Sequence, residues 1–171
     1  MRELELTTKV KIYDYDELSE SDRLLIEAAK KATQTAYAPY SKFYVGAAAR
    51  LDNGVIVTGS NQENAAFPSG LCAERTTLFY ANAQHPNHAV RELAVAAFCN
   101  GTFLKAPIPP CGACRQVILG VEERYEQPVR ILLYVRMVHT SLNPSNNYFL
   151  CSLQLKPCRN KYFFCTFAPY L

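Results

Sequence analysis

Hydrophobic positions along the chain switch period several times, and each switch marks a predicted element. Residues 3–12 alternate, with Leu4, Leu6, Val10 and Ile12 set against Glu3, Glu5, Lys9 and Lys11. Period two predicts a half-buried strand or an extended arm. From Ser19 the spacing changes to that of a helix, with Leu24, Leu25, Ala28, Ala29 and Ala32 forming one stripe that runs to about Ala36, and Pro39 stops it. Ser19 and Asp22 stand at capping-box spacing, Asp replacing the usual Glu.

Phe43 to Leu51 and Val55 to Gly59 read as two strands around Asn53-Gly54, a dipeptide suited to a tight type I′ hairpin. A polar loop follows from Asn61 to Gly70, then a helical pattern from Leu71 through Leu78 and Ala81 to Pro86. Leu93 to Cys99 is continuously apolar, as a central buried strand is. Pro107, Pro109 and Pro110 stiffen the approach to a second helix from about Cys111, with Val117, Ile118, Val121 and Tyr125 on its inner face. Val129 to Val135 is another buried strand. Hairpin, helix, strand, helix, strand predicts an α/β fold with a mixed sheet, and the unit from Leu93 to Val135 should cross over to give parallel strands in a right-handed sense. No internal repeat is visible.

Composition narrows the functional classes. With 171 residues, 49% of them hydrophobic, the chain suits one globular domain. The charged start lacks the apolar run of a signal peptide, and no window is long and apolar enough to span a bilayer. Seven cysteines in such a chain suggest metal or reduced thiols and a cytoplasmic setting. The net charge of +3 is unevenly placed: residues 1–126 carry 13 basic and 15 acidic side chains, and no acid follows Glu126. A mildly acidic body argues against a polynucleotide partner.

Two stretches carry candidate chemistry, Leu71-Cys72-Ala73-Glu74-Arg75 and Pro110-Cys111-Gly112-Ala113-Cys114. Cys111 and Cys114, three apart, share one helix face, and Pro110 suits a helix start. All three cysteines fall at helix N-termini, where free N–H groups favour thiolate. Three thiolates can hold one zinc ion and leave its fourth position open, as catalytic sites do. Glu74, not needed as a ligand, can accept a proton from water there and deliver it to a substrate nitrogen. Arg75 and Arg115 read either as donors to ligand sulfur that offset the excess thiolate charge or as solvated surface arginines. A lone Cys-x-x-Cys is a weak signal; Cys-Ala-Glu followed by Pro-Cys-x-x-Cys is a strong one.

Those motifs, with Phe43-Tyr44-Val45-Gly46-Ala47-Ala48, Gly59-Ser60-Asn61-Gln62-Glu63-Asn64-Ala65 and Cys114-Arg115-Gln116, resemble the small zinc-dependent cytidine deaminases of the three-cysteine type over about residues 36–134. The resemblance implies a three-layer α/β sandwich with zinc at two helix N-termini, one Zn(2+) per chain on Cys72, Cys111 and Cys114, and Glu74 as proton shuttle. It also implies that Asn61 and Glu63 bond the ribose, that Phe43 packs on the pyrimidine, that Ala73 lines the substrate, and that Gln116 stands with Arg75 and Arg115 behind the ligands. Cytidine and 2′-deoxycytidine are the implied substrates, in pyrimidine salvage, and a homotetramer the implied assembly. Without the resemblance, Asn61 and Glu63 read as loop-stabilising polar residues. Alternatives are a deaminase of another amino-pyrimidine nucleoside, a catalytically impaired zinc-stabilised fold, and a zinc-binding interaction module with a tail cysteine as fourth ligand.

The organisation that follows is an arm at 1–18, the zinc domain at 19–134 and an atypical tail at 135–171. The tail is acid-free and rich in Cys, Phe, Tyr and Asn, a shift in composition of the kind a displaced reading frame produces, or else a distinct tail packed on the sheet. Cys151, Cys158 and Cys165 recur every seven residues without a supporting heptad. Phe163 or Phe167 would have to replace the aromatic that closes the site in the family. His85, His88 and His139 lack ligand spacing, and Cys99 reads as a buried thiol.

Overall fold

The computed structural model describes residues 10–136 together with the backbone of 148–154. The first strand, β1 (Val10–Asp14), precedes α1 (Glu20–Ala32). The hairpin strands β2 (Tyr44–Leu51) and β3 (Ile56–Ser60) lead to α2 (Ala73–Gln84). Then come β4 (Val90–Cys99), a two-residue β5 (Thr102–Phe103), α3 (Gly112–Tyr125), β6 (Arg130–Arg136) and β7 (Tyr148–Gln154). The strands form one sheet in the order β1-β7-β6-β4-β2-β3, with β5 beside β4. Among the described strands only β4 and β6 pair in parallel, Leu93 opposite Ile131 and Val95 opposite Leu133. The sheet is therefore mixed, as the two apolar runs imply.

Alternation across the central strands divides the core in two. Ala47, Ala49, Leu93, Val95, Ile131 and Leu133 face Leu78 and Ala81 of α2 and Ile118 and Val121 of α3. Ala48, Ala94, Ala96, Leu132 and Tyr134 face Leu25, Ile26 and Ala29 of α1. Both faces of these strands are covered, which is why their sequences are apolar throughout. The result is a helix–sheet–helix sandwich. Glycines on β2 and β3 let the helices come close: a Cβ on Gly46 would lie 2.2 Å from the Ala29 carbonyl oxygen, and one on Gly59 2.8 Å from the Thr77 amide.

Several expectations require correction. The helical stripe does not reach Ala36; α1 stops at Ala32 and Thr33–Thr35 tighten into a 3-10 turn. Ser19 Oγ does accept from the Asp22 amide at 3.0 Å. The Asp22 carboxylate, however, turns away from the cap and grips Arg130 at 2.7 and 3.1 Å, because a fork-shaped guanidinium holds both its oxygens. The hairpin is not a two-residue type I′ turn. Gly54 alone takes positive φ, at 84°, and Arg50 pairs with Ile56, so the loop is the three residues Asp52, Asn53 and Gly54. The Gly54 amide donates to the Leu51 carbonyl at 3.0 Å, closing a turn ahead of the left-handed glycine. Val10 and Ile12 face outward, 47% and 58% exposed, while Tyr13 packs inward, so the described part of that apolar set is on the solvent side. Cys99 is half-buried. The segment 1–9, His139, Cys158, Phe163, Cys165 and Phe167 lie outside the described residues.

Candidate active site

Two helix starts and one extended segment build the site. Cys72 is the N-cap of α2 and Cys111 the N-cap of α3, both with extended backbone, and Cys114 follows in the first turn of α3. The Cys111 sulfur accepts from the Cys114 amide at 3.4 Å, doing the work a serine or aspartate usually does at this position. Both helices therefore begin on cysteine, and both N-termini aim at one point. Cys72 Sγ lies 3.8 Å from Cys111 Sγ, which lies 3.4 Å from Cys114 Sγ, and all three are within 4.8 Å of one another.

That spacing fits zinc. Bonds of about 2.3 Å in a tetrahedron put sulfurs about 3.8 Å apart, and thiolate is the soft donor the ion prefers. Among the described residues this is the only cluster of three or more such ligands, and no fourth protein ligand joins it. The thiols polarise one another. A hydrogen bond from Cys114 and the nearby Arg75 guanidinium bring Cys72 down to about 5, while the bond it gives to Cys72 and its burial push Cys114 up.

Glu74 is the second residue of α2 and is 6% exposed. Burial, with the Cys72 charge beside it, raises its carboxyl above the ordinary glutamate value of 4.5. A carboxyl held in this way is more readily protonated than a solvated one, which suits a group that takes and returns a proton. Arg75 donates Nη2 to the Gly70 carbonyl at 3.2 Å and lies 3.9 Å from Cys72 Sγ. Arg115 donates Nε to the Pro110 carbonyl at 2.8 Å, bracing the turn that delivers Cys111. Gln116 is exposed on α3, and Ala73 is fully buried behind the ligands.

The segment after β3 holds the remaining candidates. Asn61 is buried, its Oδ1 accepting from the Val45 amide at 2.8 Å and its Nδ2 donating to the Phe43 carbonyl at 2.9 Å. One side chain thereby substitutes for a strand partner and fixes the start of β2, where Phe43 sits half-buried. Glu63 Oε2 accepts from the Tyr40 and Ser41 amides at 3.0 and 3.2 Å. The Ser41 hydroxyl, those amides and Lys42 hold its carboxyl below the ordinary range. Sequence reasoning did not find Ser60 or Gln62, whose side chains lock this segment from its other side; their alternation with Asn61 and Glu63 was the available signal.

The comparisons agree with the geometry. Residues 19–125 match the cytidine and deoxycytidylate deaminase zinc-binding region, and the chain belongs to that family. A cytidine deaminase of Halalkalibacterium halodurans is 44% identical over 96 residues, 56% of this chain and 68% of that protein. One from Sporosarcina psychrophila is 48% identical over 55% of this chain and 65% of its own length. Among solved structures, cytidine deaminase from Burkholderia pseudomallei superposes with a TM-score of 0.56 at 37% identity, covering 77% of this chain and 91% of that one.

Proposed function

We propose that this chain catalyses the zinc-dependent hydrolytic deamination of cytidine and 2′-deoxycytidine to uridine and 2′-deoxyuridine, with release of ammonia, in pyrimidine salvage. The observation that carries this reading is the convergence of Cys72, Cys111 and Cys114 beside the buried Glu74, with no fourth ligand among the described residues. Relatives named cytidine deaminase, 43–48% identical over more than half of this chain, support the choice of substrate.

Cys72, Cys111 and Cys114 would hold the zinc, which when bound would supply a Lewis acid for the activation of water. Glu74 takes the proton from that water and gives it to N3 of the pyrimidine as oxygen adds at C4. The Glu74 carboxylate then takes the remaining proton from the added hydroxyl and passes it to the amino group, so that C4=O forms as the C4–N bond breaks, ammonia leaves and the carboxylate is restored. Arg75 offsets part of the charge of three thiolates, keeping the site electrophilic. Phe43 gives the base a flat apolar wall, and Asn61 and Glu63 present polar atoms to the ribose. The setting is cytoplasmic and the assembly a homotetramer; exposed Phe67, Phe79 and Tyr80 offer apolar surface for such contacts.

The test is formation of uridine from cytidine by purified protein, with zinc measured in the same sample. One zinc per chain with turnover is the expected result. Zinc without turnover of any amino-pyrimidine nucleoside would reduce the protein to a metal-stabilised fold.

A further inference from the structure

Gln62 stands between two residues assigned to the ribose, yet its own side chain faces the other way. Its Nε2 donates to Ser60 Oγ at 3.1 Å and to the Thr35 carbonyl at 3.3 Å. Ser60 is 3% exposed, and its Oγ is 2.9 Å from Thr35 Oγ1. Thr35 Oγ1 in turn donates to the Ala32 carbonyl at 3.0 Å. The direction of every proton in this chain is therefore fixed. Thr35 gives its hydrogen to Ala32, so Ser60 must give its own to Thr35 and accept from Gln62. A one-way run of this kind polarises each member and resists rearrangement.

The backbone of the same residue joins both neighbours. Gln62 exchanges two hydrogen bonds with Leu71, each 2.9 Å, one residue before the metal ligand Cys72. On the other side the Tyr37 amide donates to Asn61 at 2.9 Å and the Glu63 amide to Tyr37 at 2.8 Å. Successive side chains of an extended segment point to opposite sides. Ser60 and Gln62 bind Thr35 of the 3-10 turn that follows α1, while Asn61 and Glu63 hold the strand and turn that carry Phe43.

We infer that Gln62 and Ser60 are positioning residues: their hydrogen-bond run to Thr35 and Ala32 sets the placement of Asn61 and Glu63, and through them governs binding of the nucleoside sugar. This rests on the deaminase reading. The run touches neither the cysteines nor Glu74 side chain, so its loss should weaken substrate binding and spare the chemical step.

The experiment compares the wild-type protein with Gln62→Met, which keeps length and removes the donor, with Ser60→Ala, and with the double variant. The expected result is a rise of about tenfold in KM for cytidine in each single variant, with kcat within about twofold and one zinc per chain retained. Because the two residues act in one run, the double variant should be no worse than the weaker single one. An unchanged KM, a loss borne by kcat, or additive losses in the double variant would overturn the inference. Absence of cytidine turnover in the wild-type protein would instead overturn the reading on which it rests.

Discussion

Glu74 has its setting because the helix that carries it begins on Cys72. The N-cap presents its sulfur forward, and the residue two further on falls under the adjoining helix start, where it is buried against Cys72 and Cys114. Glu74→Gln preserves shape and removes the proton carrier. Turnover is expected to fall by about 10²–10⁴-fold with zinc content unchanged, read from steady-state rates and metal analysis. Arg75→Gln removes the cation 3.9 Å from Cys72 Sγ and should lower kcat or zinc affinity by about 10–100-fold. A variant with unaltered rate and zinc retention would make Arg75 a surface residue. Glu122 is a different buried carboxyl, 7% exposed, with Oε1 accepting from the Val129 amide at 2.7 Å. Burial raises its pKa above 4.5, so the folded state holds the proton more tightly than the unfolded one. That preference adds stability at low pH and is lost as pH rises from about 4.5 through the folded value. Glu122→Gln keeps the acceptor without a charge, and its gain in Tm over the wild type should be larger at pH 8 than at pH 5.

Close approach of α2 to the hairpin is what keeps these groups in register. A Cβ at Gly59 would meet Thr77 Oγ1 at 2.6 Å and the Thr77 amide at 2.8 Å, and backbone cannot step aside as a side chain tip can. Gly59→Ala is expected to cost about 1–3 kcal/mol in chemical denaturation and to reduce turnover, since α2 carries Cys72 and Glu74 away together. Retained stability with full activity would show that α2 can shift freely. The elements themselves were legible wherever hydrophobic period and length agreed, as in α1, α3, β4 and β6. Where the sequence misled, a competing contact won. Asp22 left its capping role for Arg130, and Asn53 stayed at negative φ because the loop has three residues and Gly54 alone takes the left-handed position. The cysteines and Glu74 were legible because few arrangements use three thiols and a carboxylate in such spacing. Ser60 and Gln62 were not, since their alternation with Asn61 and Glu63 gives the side they face but not which neighbour a hydroxyl or amide will meet.

Over the whole molecule, an ion-pair cluster ties one end of the sheet together. Arg130 of β6 bonds Asp22 of α1 and, at 3.0 Å, Glu92 of β4, which also pairs with Arg50 of β2 at 3.0 Å. No helix among the described residues is long and apolar enough to cross a membrane. The tail contributes β7, which no clean alternation in Tyr148–Gln154 announces, and it lies between β6 and β1 in antiparallel register with both. Ending the chain after Arg136 is therefore expected to remove protection from amide hydrogen exchange at residues 10–14 as well as to lose β7 itself. Retained protection of 10–14 would show that β1 docks without it.

Insertion of β7 at that place also orders events during synthesis. The strand β1 has its partner far along the chain, with Val10 opposite Leu153. The central strands and their helices can assemble while translation continues, but β1 must wait for β7. Until then its outward-facing Val10 and Ile12 and its unpaired backbone are open to other chains, so the interval between translation of β6 and docking of β7 is when this protein is most exposed to misassembly.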